Sequence, residues 1–342
     1  MKHWFTAAKM KTLLNLLTVF LFFIFIIFSD LFVYGFKQLN GQLKTLYYTE
    51  NINIALASPI YSIEDKRKIK LVQDVKCFAE NNLGFRETNN FTRICNQKLS
   101  GNLWVVEGCE LFSFNEFTWQ FPFLGKVSYK GYFDLQAAKK EKDQLIRKGY
   151  DASIGTASAW STLGIFNDPI LSGNLRYKKS TLVNLIFHEL FHSTYYAKSS
   201  VDLNENLANF IAHKASLLYL TNDSILLNEY TVNMSDDSIF KDAIFKEMNR
   251  LKLFYRSLDT SDTTLAINLK KNEFQRTEVN LLRLKIRNKV KLVENIKKMH
   301  EEGNTYFCGI KKYDGLYDSL DKVLKNKYKN NLKQMILDFK SK

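Results

Sequence analysis

Residues 12–28, TLLNLLTVFLFFIFIIF, run for seventeen positions without a charge. A helix needs about 20 apolar residues to cross the hydrocarbon core of a bilayer. With Asp30 near the interface and LFVY carrying the apolar character on to Tyr34, residues 12–34 meet that length. A secretory signal is the competing reading, but its apolar core is usually about 7–15 residues and ends at a small-residue cleavage site. Here the core is longer and nothing like A-x-A follows, which favours an anchor that stays on the chain. Three lysines and no acid precede it, so the positive-inside rule keeps the N-terminus in the cytoplasm. No later run is long and charge-free enough to span again. The expected organisation is an anchor over 1–35 and one domain over 36–342 on the far side of the membrane.

Within that domain, turn punctuation is sparse. Three prolines and fourteen glycines in 342 residues favour long helices over a sandwich of short strands. DLQAAKKEKDQLIRK (134–148) predicts a helix with Asp134 as N-cap and Gly149 just past its end. YDASIG (150–155) reads as a short strand, and 156–173 as a turn-rich, almost uncharged loop of a length that is often functional. Helices are expected at 181–197 and 205–220, then near 238–257, 273–300 and 315–339. There is no internal repeat. The fold class is mainly α with a small β component (α+β).

Net charge is +14, of which residues 222–342 hold +7 from 24 Lys/Arg against 17 Asp/Glu. Basicity spread this evenly, and mixed with acid, lacks the concentrated face or tail of a nucleic-acid binder. No nucleic-acid partner is expected. The four cysteines, Cys77, Cys95, Cys109 and Cys308, include no C-x-x-C pair, so a zinc ribbon or thioredoxin motif is excluded. The first three fall within 33 residues, so a disulfide among them is plausible in an oxidising compartment.

The densest chemistry lies in NLIFHELFHSTYY (184–196), which holds two of the chain's five histidines. On a helix, residues i and i+4 share a face, so His188 and His192 point the same way with ring nitrogens able to hold one ion. Neutral imidazole is a good zinc ligand. Glu189, one residue on, flanks that position, where a general base for an attacking water belongs. This geometry is why H-E-x-x-H marks zinc hydrolases. A catalytic zinc takes three protein ligands. Glu205, in LNENLANFIAH (203–213), stands at the start of the next helical pattern, with twelve residues between it and His192. Asn209, at i+4 from Glu205, could bond a ligand histidine. Tyr196, at i+4 from His192, offers a phenol to an oxyanion. His213 reads as a packed histidine.

The chain resembles the bacterial putative aminopeptidases, a family of gluzincin-type zinc metallopeptidases. The matching stretches are FPFLGKVSYKGYFD (121–134), GYDASIGTASAWSTLGIFNDPIL (149–171), HELFHSTYY (188–196) and NENLANFIA (204–212), with GQLKTL (41–46) and CFAENNLGF (77–85) before them. The resemblance implies a zincin-like domain, one zinc ion on His188, His192 and Glu205, and Glu189 as base. It also implies a peptide substrate and a cleft bordered by Ser161, Thr162, Leu163, Gly164 and Asp168. With the anchor it implies a bacterial inner-membrane protein whose catalytic domain is periplasmic. Members often carry a lipoprotein cysteine after the apolar segment. Here VYGF (33–36) stands instead, so lipidation does not carry over and the bilayer contact rests on residues 12–34. The alternative is a membrane-anchored scaffold with a structural or inactive metal site. Structural zinc sites are closed cages, often rich in cysteine, and no cysteine lies near this motif.

Overall fold

The computed structural model of the chain describes residues 12, 14–16, 18, 29–121, 125–157, 167–197, 200–311 and 316–341. Helix α1 (Ser29–Tyr47) leads into β1 (Thr49–Asn51), α2 (Ile52–Ala57) and the long α3 (Ile63–Leu83). There follow β2 (Arg93–Cys95), α4 (Gln97–Ser100), β3 (Trp104–Glu110), β4 (Trp119–Phe121), β5 (Gly125–Val127) and β6 (Tyr129–Tyr132). Next come α5 (Leu135–Arg147), β7 (Tyr150–Thr156), β8 (Ile170–Leu171), α6 (Lys179–Thr194) and α7 (Val201–Leu220). The remainder is helical: α8 (Ser224–Ser257), α9 (Thr263–Leu282), α10 (Lys289–Glu302), α11 (Asn304–Lys311), α12 (Tyr317–Asn326) and α13 (Leu332–Lys340). Strand β3 pairs antiparallel with β6 and β7, β2 lies between antiparallel β1 and parallel β8, and β4 and β5 form a ribbon. This is the expected mainly helical α+β fold.

Helix α6 is the centre of the molecule. Leu182, Val183, Ile186, Phe187, Leu190 and Phe191 are all buried, on more than one side of the helix. A helix that is apolar nearly all round belongs in an interior. Helix α3 packs on one side and α7 on another. The ring of Phe187 meets those of Phe78, Phe85 and Tyr219 at 6.3, 6.1 and 6.0 Å. Each such side chain contributes roughly 1.5–3 kcal/mol on burial, so the helix carrying the two histidines is held in a rigid frame. Separate apolar clusters lie among α8–α11 and between α5 and the β3 sheet.

Asp134 caps α5 by accepting from the Gln136 N–H, and Gly149 takes φ +80° just beyond the helix, both as expected. The strand expected at 150–155 is β7. Other boundaries differ. Helix α6 stops at Thr194 instead of 197, and α7 starts at Val201 instead of 205. The expected helix at 238–257 is the second half of α8. The helix expected at 273–300 is two, because the buried Asp236 carboxylate accepts the N–H groups of Arg287 (3.1 Å) and Asn288 (2.8 Å) and fixes a break there. That at 315–339 is also two, broken where Lys329 and Asn330 adopt positive φ.

The N-terminus needs one correction. Among the described residues no helix is long and apolar enough to cross a membrane, and most of 12–28 lies outside them. Helix α1 runs through the boundary expected after residue 35. Tyr34, expected at the end of the span, is instead fastened to the protein. Its hydroxyl donates to the Gly131 carbonyl at 2.9 Å and its ring packs on Phe121 and Tyr132. Residues 12–34 are therefore too long a segment to assign to the bilayer.

Candidate metal centre

His188 and His192 lie one turn apart on α6, on the side that faces α7. Their Nε2 atoms are 3.0 Å apart. Glu205, on the first turns of α7, brings one carboxylate oxygen to 3.3 Å from His188 Nε2 and the other to 3.4 Å from His192 Nε2. One donor atom from each residue lies within 4.8 Å of the other two, and this is the metal-compatible cluster of His, Cys and acidic groups among the described residues. Two imidazoles and a carboxylate suit zinc and leave a fourth position open. The three side chains keep 13, 16 and 22 % of their surface exposed, so the cluster is reachable from solvent, unlike a closed structural cage.

A backbone clamp sets the distance between the two helices. Beyond Thr194 the chain leaves α6 in an extended conformation. The Ala197 N–H then donates to Asn204 Oδ1 at 2.7 Å, and Asn204 Nδ2 donates back to the Ala197 carbonyl at 2.9 Å. Asn204 is buried and immediately precedes Glu205. The loop after His192 is thus tied to the turn that carries Glu205. Asn90 braces the same end of α6. Its Nδ2 donates to Ser193 Oγ at 2.8 Å, and its Oδ1 accepts from the Asp168 N–H at 2.9 Å.

Burial works against charge at Glu205, but hydrogen bonds from His188 and His192 and their charge outweigh it and lower its carboxyl to about 2. Burial opposes the charged form of His188 too. The Glu205 hydrogen bond, the Glu189 and Glu205 charges and an Asn209 hydrogen bond outweigh it, so its imidazole is raised. Glu189 keeps some accessible surface but is densely surrounded by protein, and this desolvation pushes its carboxyl above the ordinary range. A carboxylate with raised proton affinity beside two histidines suits a group that accepts a proton and gives it up again. His192 Nδ1 is buried without a partner among the described residues, so it lacks the outer support that metal-ligating histidines usually have.

The other expected residues divide. Asn209 is a hydrogen-bond partner of His188. Tyr196 lies past the helix end, so i+4 geometry does not place it. It is 48 % exposed with its ring edge-on to His192 at 6.3 Å. Asp168 is engaged with Asn90, with Nδ2 3.4 Å from its carboxylate. Ser161, Thr162, Leu163 and Gly164 lie outside the described residues. His213 packs on Tyr230 and Tyr317, with Nδ1 3.0 Å from the Tyr230 hydroxyl. Sequence reasoning missed Asn204 and Asn90, and it missed a cavity of about 390 Å³ that Asn184, one helical turn before His188, helps to line. Asn184, Asn209, His213, Asp237, Lys241 and Tyr317 are among its lining residues. Asn184 stands at i−4 from His188, a spacing that could have flagged it.

A family model described as putative aminopeptidase matches residues 33–339, nearly the whole described chain. No curated protein and no solved structure matches.

Proposed function

The chain belongs to the putative aminopeptidase family, and on that premise we propose that it is a gluzincin-type metallopeptidase, with His188, His192 and Glu205 holding one zinc ion. The observation that carries this reading is the convergence of two Nε2 atoms and a carboxylate within 4.8 Å, with Glu189 on the same helical turn as His188. Nitrogen and oxygen donors of this kind favour zinc over harder cations. When bound, zinc polarises a peptide carbonyl and lowers the pKa of a coordinated water toward about 7.

The chain's own groups do the rest. Glu189 takes the proton from the attacking water and returns it to the departing amine. Asn209 holds the His188 ring in place through its hydrogen bond. Tyr196, edge-on to His192, supports the developing oxyanion once substrate covers it. The cavity beyond Asn184 and Asn209 receives substrate atoms on one side of the metal, and the loop containing Ser161–Gly164 and Asp168 borders the cleft. Cleavage of the aminopeptidase type requires a free α-amine on the substrate. The apolar segment that begins at Thr12 and ends before Tyr34 anchors the chain in the bacterial inner membrane, with the N-terminus cytoplasmic and the catalytic domain on the periplasmic side.

The test is the metal content of the full-length chain purified in detergent, beside His188→Ala. The expected result is about one zinc per chain, lost in the variant, with hydrolysis of aminoacyl or peptide substrates lost alongside it. A folded wild-type protein that carries no zinc and refuses added zinc would sink the reading.

A further inference from the structure

Two cysteines 199 positions apart meet in the interior, well away from the metal ligands in the chain. Cys109 lies on β3 and Cys308 on α11, and both are buried. Their sulfur atoms are 3.2 Å apart, only about 1 Å more than an S–S bond of about 2.05 Å. The approach does not depend on the sulfurs themselves. Asn304, one turn before Cys308, donates from Nδ2 to the carbonyls of Glu110, Leu111 and Ser113, each at 2.9 Å. The Tyr255 hydroxyl donates to Asn304 Oδ1 at 2.8 Å. The Asn304 N–H donates to Asp151, which also forms an ion pair with Lys270. This network seats the first turn of α11 on the end of β3 and delivers Cys308 to Cys109.

We propose that Cys109 and Cys308 form a disulfide that fastens α11 to β3. This differs from the sequence expectation of a bond among Cys77, Cys95 and Cys109. Cys77 is exposed on α3, and Cys95 is buried against Ser100 at 3.3 Å. The two thiols together lose two protons and two electrons. The oxidant is a disulfide donor, such as oxidised glutathione or the oxidised dithiol of a folding catalyst. One thiolate attacks the donor and releases one thiol, and the second thiolate then attacks the mixed disulfide and releases the other. In the folded chain the Cys308 contact and burial push the Cys109 thiol up, and the thiolate is the reactive form. The first attack therefore falls during folding, while the thiols are still open to the donor, and the second follows as α11 closes over β3. The bond also steadies the metal region, because Gly309 and Ile310, next to Cys308, line the cavity beside the histidines.

The experiment takes the full-length chain from the membrane fraction, alkylates it at lysis, unfolds it in more alkylating reagent and counts modified thiols by mass. The expected result is two modified cysteines, Cys77 and Cys95, and a linked peptide pair containing Cys109 and Cys308. A reductant then lowers Tm by several degrees, and Cys109→Ala/Cys308→Ala abolishes that shift. Four modified cysteines, or a linked pair that includes Cys77 or Cys95, would overturn the proposal.

Discussion

Glu189→Gln replaces one oxygen by an amide nitrogen at nearly constant volume. The donor atoms are untouched, since the cluster is built from His188, His192 and Glu205 alone. The variant should therefore keep its zinc. It loses the ability to accept a proton, and a positioned general base contributes about 10²–10⁴-fold. At 1.36 kcal/mol per tenfold that is roughly 3–5 kcal/mol of transition-state stabilisation, read as a drop in kcat/KM on a fluorogenic aminoacyl substrate. Stability supplies a second, independent readout. Desolvation raises the Glu189 carboxyl above its unfolded value. An acid whose folded pKa is raised binds more protons folded than unfolded, so it weakens the fold as pH rises past its ordinary pKa of about 4.3. The metal-free variant should melt above metal-free wild type at pH 7, with the gap closing as pH falls to that ordinary value. Zinc content by mass spectrometry and thermal melts with chelator complete the assay. A variant with intact zinc and wild-type turnover refutes the base assignment. One that loses its zinc shows that Glu189 is a ligand.

Three further outcomes are expected. Asn204→Ala removes both hydrogen bonds that join Ala197 to the turn of Glu205; zinc affinity should fall about 10–100-fold in competition with a chromophoric chelator, and unchanged affinity would show that the clamp does not set the site. Glu141 accepts from Trp119 (2.7 Å), Tyr132 (2.6 Å) and Lys130 (3.1 Å). Burial alone would raise it, but the Tyr132 and Trp119 hydrogen bonds and then Lys130 outweigh burial and hold its carboxyl below the ordinary range. Its contribution is thus present above the unfolded pKa and is lost as pH falls through the folded one. Glu141→Gln should cost about 1–3 kcal/mol at pH 7 in urea unfolding, with wild type converging on it in acid; a constant gap across that range would count against the cluster. Gly303 takes φ +61° with the Asp151 carboxylate against the space a Cβ would fill. Gly303→Ala should cost about 1–3 kcal/mol or more, and an unchanged Tm would contradict it.

What the sequence made legible was local. His188 and His192 declare their common face through a spacing of four, and Glu205 follows within one loop. Asp134 and Gly149 bracket α5 because capping is decided by a few neighbouring residues. What stayed hidden depends on distant partners. The break between α9 and α10 is held by Asp236, about fifty residues away. The first half of α8, SILLNEYTVNMSDD, contains weak helix formers, and there packing of buried Tyr230 overrides propensity. Strands β1, β2, β4 and β5 have three residues each, too few to display a period of two. Cys308 lies far along the chain from Cys109, so nothing in the sequence signals that their sulfur atoms meet.

The three proposed metal donors all fall between positions 188 and 205, on two consecutive helices joined by one short loop. Closing so short a loop carries little entropic penalty, and contacts of low sequence separation form early in folding. Pairing of α6 with α7 can therefore precede the docking of α8 to α13, whose contacts span much longer separations. An ion captured at that stage would act as a folding nucleus as well as a reagent. Zinc supplied during synthesis would then speed folding, and zinc added to the finished protein would only slow its unfolding.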